Sequence, residues 1–421
     1  MDAVRVGVLG CGNVGAALVR LLTEDGAGIA ERTGVRLEVV RVAVRDTSRP
    51  RRVHLPSGCL TDDAAGLVAD PGIDVVVELI GGIDPARALV RTALEAGKPV
   101  ITANKELLAQ AGAELFEVAA KARVDLLYEA AVAGAIPLIR PLRESLAGER
   151  ITRVMGIVNG TTNYILTRMA EEGASYGDAL AEAQELGFAE SDPTADVEGS
   201  DSAAKAAILA TIAFGAQVVA GDVSREGITG ITAADIAFAG RLGYVVKLLA
   251  VAERADKNDE AVAVRVHPAM VPAAHPLAAV RGSFNAVFIE GDAVGELMLY
   301  GRGAGGMPTA SAVLGDLIDA AHNLRTGGSG RTTTFAPAKI HPMDELFSQY
   351  YLNMDVVDRP GVLAAVATVT AEHGVSLASF EQEGLGDDAR MVFITHKARE
   401  RDIQATLDGL RGLDVVKRVG T

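Results

Sequence analysis

The sequence predicts an α/β protein built in three units. A doubly wound parallel sheet comes first, an α+β unit follows, and a ferredoxin-like βαββαβ domain closes the chain. Three observations carry this reading. Residues 1–130 alternate short Val/Ile/Leu runs with Ala-rich helical stretches, the pattern of parallel β-α-β units. From about 150 to 300 that alternation stops, and helical stretches mix with strand-like pieces. Residues 349–421 read strand, helix, strand, strand, helix, strand.

In order, VRVGVLG (4–10), LEVVRVAV (37–44), DVVVELI (74–80) and PVITA (99–103) are buried-strand runs, and DLLYEAAV (125–132) suggests a fifth strand. In the second unit, 161–186 and 201–219 read as helices and AVAVRVHPAMV (261–271) as a strand. A second glycine cluster, YGRGAGGMPTASAV (300–313), leads into another helix. The domains are expected at 1–130 (completed by part of 300–335), 131–335 and 349–421, with 336–348 as a linker.

Composition narrows the partners. A net charge of −15 on 421 residues, with no basic stripe, argues against nucleic acid. The best membrane candidate, 206–221, is too short at 16 residues and contains Gln217, whereas a spanning helix needs about 20. No signal-peptide pattern opens the chain. Two cysteines, Cys11 and Cys59, show no metal or disulfide spacing and suit a reducing compartment. A cytoplasmic protein without a membrane partner is expected. The seven histidines are scattered, without zinc-ligand spacing.

Gly10-Cys11-Gly12-Asn13-Val14-Gly15 is a G-x-G-x-x-G loop between the first strand and a helix. Its glycines permit a tight turn and close approach to a pyrophosphate, and the helix N-terminus offers N–H groups to an anion. This predicts a Rossmann-type dinucleotide-binding domain. The second strand ends in VAVRD, with Arg45 where an acidic ribose ligand is usual, and Arg49, Arg51 and Arg52 follow. A guanidinium suits a 2′-phosphate, so NADP(H) is preferred over NAD(H). Asp46 leaves the opposite reading open.

TANKELLA (102–109) follows the fourth strand, so Thr102, Ala103, Asn104 and Lys105 lie where ligands of open α/β sheets bind. ELGFAESDPTADVEGSDSAAK (185–205) carries six carboxylates before one lysine. Such a charge run is either a solvated loop or a pocket for a substrate ammonium. On a helix, Lys205 shares a face with Ile208, Leu209 and Ile212, an unfavourable place for an ammonium unless it is used. Asp201 stands one turn before it and can pair with it.

These motifs, with NGTTNYIL (159–166) and GRGAGGMPTASAV (301–313), resemble homoserine dehydrogenases in the same order, and the tail with its Asp358-Arg359-Pro360-Gly361 turn resembles an ACT regulatory domain. The resemblance covers essentially the whole chain. It implies reversible reduction of L-aspartate 4-semialdehyde to L-homoserine with NAD(P)H, in threonine and methionine biosynthesis. It implies Lys205 as proton donor, with Lys105 as a second cation near cofactor and substrate. Glu190, Asp201, Gly160 and Thr161 would hold substrate. Gly10, Gly12, Asn13, Val14, Gly15, Arg45, Thr102, Ala103, Lys105, Gly187 and Gly303 would meet the cofactor. A monovalent cation, Na+ or K+, would sit on Glu129, Val132, Gly134 and Ile136. An amino-acid effector, with threonine the natural expectation, would bind near Asp358 and Gly361, and paired ACT domains imply a homodimer or homotetramer.

Three other readings compete. An acylating aldehyde dehydrogenase needs a cysteine nucleophile, and neither cysteine has a supporting motif. A sugar or amino-acid oxidoreductase with a Gly-Lys-Pro turn finds an echo in Gly97-Lys98-Pro99 but not in the acidic motif. A non-catalytic amino-acid sensor would leave the Asp201/Lys205 pair and both glycine clusters without a task.

Overall fold

The computed structural model describes residues 3–255, 260–330, 335–384 and 386–421. Strands β1 (Val4–Leu9), β2 (Leu37–Ala43), β3 (Leu60–Thr61), β4 (Val75–Glu78), β5 (Val100–Thr102) and β6 (Leu126–Leu127) form one sheet. Its order is β3-β2-β1-β4-β5-β6, and every pair is parallel. Helices cover both faces, so β4 and β5 are buried at every position and read as unbroken apolar runs. The order reverses between β1 and β4, which opens a crevice at the strands' carboxyl ends.

Two features of this sheet differ from the sequence expectation. The run at 125–132 supplies only β6; from Glu129 the chain turns into a short 3₁₀ segment, Glu129–Ala131. A short β3, absent from the hydrophobic pattern, extends the other edge. The helix Gly306–Thr326 returns from beyond the middle unit and packs on Asn13–Glu24, with Val313, Leu317 and Ala320 meeting the core of Leu18, Val19 and Leu22.

The second sheet contains β7 (Ile151–Ile157), β8 (Ser224–Arg225), β9 (Tyr244–Arg254), β10 (Val262–Pro272), β11 (Phe284–Gly291) and β12 (Gly295–Arg302). Its order is β12-β11-β7-β9-β10-β8, antiparallel except where β8 joins. One helix was expected over 161–186; the structure has two, Gly160–Glu172 and Tyr176–Glu185. Gly173, at φ 67°, ends the first and Ser175 caps the second. The helix expected over 201–219 is Ser200–Phe214, stopped by Gly215 at φ 68°. No helix among the described residues is long and apolar enough to cross a membrane.

The tail forms an antiparallel sheet of β13 (Tyr351–Val357), β14 (Leu377–Gly384), β15 (Asp388–Thr395) and β16 (Val416–Val419), in order β14-β15-β13-β16, with helices Val362–Glu372 and Glu400–Arg411. Its other face meets the middle unit. The Tyr351 hydroxyl donates to Asp235 Oδ1 at 2.8 Å, and the Asn353 amide donates to the same oxygen.

The expected linker is a strap. Ala336–Pro337 pairs with Ala216–Gln217, Ile340 bridges to Val262, and Phe347–Ser348 pairs with Ala398–Arg399.

Candidate active site

The dinucleotide crevice is prepared for an anion. Gly10 has φ 99°, and a Cβ on it would lie 2.7 Å from the Leu79 carbonyl oxygen. At Gly15 a Cβ would lie 2.3 Å from the Gly10 carbonyl oxygen. Both positions therefore require glycine. Gly12 is different: nothing lies within 4 Å of where its Cβ would be, and no side chain caps the Asn13–Glu24 helix that it precedes. The first-turn N–H groups, at Asn13, Val14 and Gly15, are left for a bound phosphate.

Arg45 is exposed, as a solvated charge would be. The guanidinium that comes close to the loop belongs to Arg51. Its charge counters the burial that pushes the Cys11 thiol up. Arg51 Nη2 donates to the Asp46 carbonyl at 2.5 Å, while its buried Nε has no partner among the described residues. Asp46 accepts from Ser48 N and Oγ, at 2.9 and 2.6 Å.

At the ends of β4 and β5, Glu78 is fully buried. One of its oxygens accepts from Ile80 N at 2.8 Å and Gly81 N at 3.1 Å, and the other accepts from Thr102 Oγ1 at 2.6 Å. The Thr102 hydroxyl is thus engaged inside the protein. Asn104 caps the Lys105–Ala122 helix and donates to the Gly82 carbonyl. That cap places Lys105 in the first turn, facing the middle unit.

The two units meet at Asp201. Its Oδ1 pairs with Lys105 Nζ at 2.8 Å, and its Oδ2 accepts from Lys205 Nζ at 2.7 Å. Lys205 also donates to the Val158 carbonyl at 2.7 Å. Ile208 and Leu209 are buried beside it, as helical spacing required. Burial pushes the Asp201 carboxyl up, but the charges of Lys205 and Lys105 and their hydrogen bonds outweigh it and hold the group well below the usual carboxylate range. Burial pulls Lys105 down, yet the charge and hydrogen bond of Asp201, with Glu106 and Asp196 behind, leave its ammonium raised.

Asp201 was expected to hold substrate; the structure engages both of its oxygens with protein cations. Glu190 is exposed, and its carboxylate makes no hydrogen bond or ion pair among the described residues. The same loop carries Gly187, at φ 73° with open space where a Cβ would be, and the Phe188 carbonyl, which accepts from Thr161 Oγ1 at 2.6 Å. Gly160 leaves no room for a side chain, because a Cβ would lie 2.7 Å from the Ser283 carbonyl oxygen.

The sequence reading missed Asn159, which is buried. Its Nδ2 donates to Asp201 Oδ2 at 2.8 Å and to Asp196 Oδ1 at 2.6 Å, while its Oδ1 accepts from Thr162 N at 2.9 Å. The available signal was its place as a cap residue after an apolar strand. That signal indicates a helix start and nothing about carboxylates.

Gly303 lies between two close neighbours. A Cβ on Gly134 would lie 2.3 Å from the Gly303 carbonyl oxygen, and a Cβ on Gly303 would lie 2.0 Å from the buried Asn285 amide. Near it, Ala133 and Gly134 both have positive φ, 58° and 54°. The carbonyls of Val132, Gly134 and Ile136 accept no hydrogen bond from a described residue. Glu129 was expected to offer its carboxylate to a cation there. The carboxylate accepts from the backbone N–H groups of Leu138 (2.5 Å), Ile139 (2.7 Å) and Arg140 (2.9 Å).

The competing chemistries lose their residues. Cys11 and Cys59 are buried and their thiols are pushed up by burial, the opposite of an activated nucleophile. Lys98 precedes β5, at the end of the sheet away from the crevice, and donates to the Asp70 carbonyl. No group of metal-ligating side chains occurs among the described residues.

Comparison with known proteins gives a consistent result. The NAD-binding domain of homoserine dehydrogenase matches residues 10–129, the homoserine dehydrogenase family matches 137–318, and the ACT domain matches 350–414. The homoserine dehydrogenase of Corynebacterium glutamicum is 51% identical, covering 100% of this chain and 95% of its own length. That of Bacillus subtilis is 42% identical, covering 100% and 97%. The crystal structure of the Thiobacillus denitrificans homoserine dehydrogenase superposes with a TM-score of 0.93 at 40% identity, covering 100% of this chain and 97% of that one. A hyperthermophilic archaeal homoserine dehydrogenase in complex with NADPH superposes with a TM-score of 0.63 at 29% identity, covering 76% of this chain and 98% of that one.

Proposed function

The chain belongs to the homoserine dehydrogenase family, and from that premise we infer how its residues carry out the reversible NAD(P)H-dependent reduction of L-aspartate 4-semialdehyde to L-homoserine. The observation that carries the reading is the Asp201 carboxylate, gripped by one lysine from each unit. The reduced nicotinamide, when bound, supplies the hydride. The residues must meet the negative charge that develops on the aldehyde oxygen and protonate it. An ammonium has three N–H bonds. Those of Lys205 find two acceptors, Val158 O and Asp201 Oδ2, so the third serves the substrate oxygen. Lys105, whose proton is held by Asp201, stays a fixed cation and stabilises the same charge. Asp201 accepts from Lys105, Lys205 and Asn159, which leaves one lone pair on Oδ1 for the substrate ammonium; Glu190 offers a second carboxylate, and Gly160 and Thr161 form the adjoining wall.

The crevice suits NADP(H) over NAD(H). Gly10, Gly12 and Gly15, with the uncapped helix, fit the pyrophosphate, and Ala103, Gly187 and Gly303 would meet the rest of the cofactor. Arg51, whose Nε has no partner among the described residues, fits a 2′-phosphate better than exposed Arg45 does. The carbonyls of Val132, Gly134 and Ile136 fit Na+ or K+, hard cations that prefer oxygen. Such an ion would meet carbonyls left without donors in a loop packed against Gly303. Glu129 would act there by fixing the loop.

The ACT domain supports regulation by a small amino acid, with threonine as the effector and Asp358 and exposed Gly361, at φ 93°, at its site. Exposed apolar groups on the edge strands β12 (Tyr300) and β14 (Phe380) support a homodimer or homotetramer, and the enzyme fits the cytoplasm. Initial rates of NADPH and NADH oxidation with aspartate semialdehyde, with and without threonine, test the scheme. Normal turnover by Lys205→Ala would overturn the proton assignment. Equal rates after exchange into a bulky organic cation would overturn the ion.

A further inference from the structure

We propose that Asn159 is a positioning residue for the proton-transfer step, acting through Asp201 to aim the free N–H of Lys205 at the substrate oxygen. The inference rests on Lys205 being the proton donor. Asn159 ends the turn after β7 and caps the Gly160–Glu172 helix. Its amide orientation is fixed from both ends. Oδ1 accepts from Thr162 N at 2.9 Å and Thr162 Oγ1 at 3.1 Å, while Nδ2 faces the carboxylates of Asp196 and Asp201. The flipped amide would set oxygen against two carboxylate oxygens and NH₂ against an N–H, so a single orientation is viable.

The consequence follows from shared atoms. Asp201 Oδ2 accepts from both Asn159 Nδ2 and Lys205 Nζ. Lys205 Nζ also bonds the carbonyl of Val158, the residue just before Asn159. One dipeptide therefore sets both acceptors that orient the ammonium, one directly and one through Asp201. A neutral donor is the side chain suited to this place. It bridges two carboxylates without competing for the charge of Lys205, and it keeps Asp196 and Asp201 from facing each other unscreened. The capping role alone would accept Ser or Asp equally well. The need for a donor toward two carboxylates selects Asn.

That difference supplies the test. Asn159→Ser keeps an oxygen for Thr162 N but loses the bridge. It is expected to lower kcat about tenfold to a hundredfold, the scale of a misplaced catalytic group, with a folded protein by circular dichroism and KM for NADPH unchanged. Asn159→Asp also keeps the cap and nearly keeps the shape; it replaces the donor with a third carboxylate and should lose at least as much kcat. In the Asn159→Ser background, Lys205→Ala should cost far less than it costs alone, because Asn159 acts through that lysine. Wild-type kcat in either Asn159 variant would overturn the proposal. So would losses that simply multiply in the double variant, since a general structural defect is independent of Lys205. Failure of the underlying reading looks different: Lys205→Ala itself would then turn over normally.

Discussion

Lys205 and Lys105 hold opposite oxygens of one carboxylate, but the two halves of the site are built differently. The Lys205 half lies within one unit. Its side chain is 13% exposed, ties to two acceptors, and shares a helix with Asp201. The Lys105 half crosses between units. Its side chain is 34% exposed and, among the described residues, pairs with Asp201 alone. A buried, doubly tied ammonium is aligned before substrate arrives. A cation reaching across a cleft depends on how the units stand and supplies charge more than aim.

The largest expected effect tests the aligned half. Lys205→Ala should lower kcat by about 10²- to 10⁴-fold, the usual range for losing a general acid, while the dissociation constant for NADPH, read by fluorescence titration, stays near wild type. Lys105→Met should reduce kcat/KM by a smaller factor, about ten- to a hundredfold. An effect as large as that of Lys205→Ala would erase the contrast between aim and charge. Next comes the cofactor side of the cleft. Arg51→Ala should raise KM for NADPH about tenfold, the size of one charge-assisted hydrogen bond, and leave KM for NADH unchanged. Equal changes for both cofactors would remove Arg51 from the 2′-phosphate.

The smallest effect concerns pH. Asp201 is an acid held below its ordinary value, so its contribution is present above the unfolded carboxyl pKa and is lost only as pH falls through the depressed folded one. The site should stay assembled through mild acid. Asp316, on the Gly306–Thr326 helix, has the opposite sign. Burial chiefly pushes its carboxyl up, to about 7, against the Glu129 N–H that donates to it at 2.8 Å. Glu129 and Asp319 add to the rise and Arg140 opposes it. Stability linked to Asp316 is full below the unfolded value of about 4 and fades as pH rises through about 7. Asp316→Asn should therefore flatten the fall in melting temperature from pH 5 to 8. An unchanged pH profile by scanning calorimetry would count against this linkage.

Legibility in the sequence followed the range of the interaction. The phosphate loop was readable because its strand, turn and helix signals lie within a few residues. The place of Lys205 among buried apolar neighbours, paired with Asp201, was readable because an ammonium on an apolar helical face violates a local rule. The Lys105–Asp201 pair was not, because it joins residues of different units through a cleft that only the folded chain creates. Asn159 was hidden by a sufficient local explanation, the helix cap. The break at Gly173 was hidden because helix resumes at Tyr176, only a few residues after it. The shortness of β6 was hidden because a buried turn is as apolar as a strand.

The strap at 335–348 bears on how far the tail can be treated as a separable part. Its first contact, Ala336–Pro337 with Ala216–Gln217, lies just past the end of the helix that carries Asp201 and Lys205. Its last, Phe347–Ser348 with Ala398–Arg399, lies inside the tail. Two truncations that look equivalent on a domain map are therefore different molecules. A cut after residue 348 removes the ACT domain and leaves the seam beside the Asp201–Lys205 helix closed. A cut after residue 335 also opens that seam, so lost activity there would report a missing stitch beside the Asp201–Lys205 helix and not a missing ACT domain.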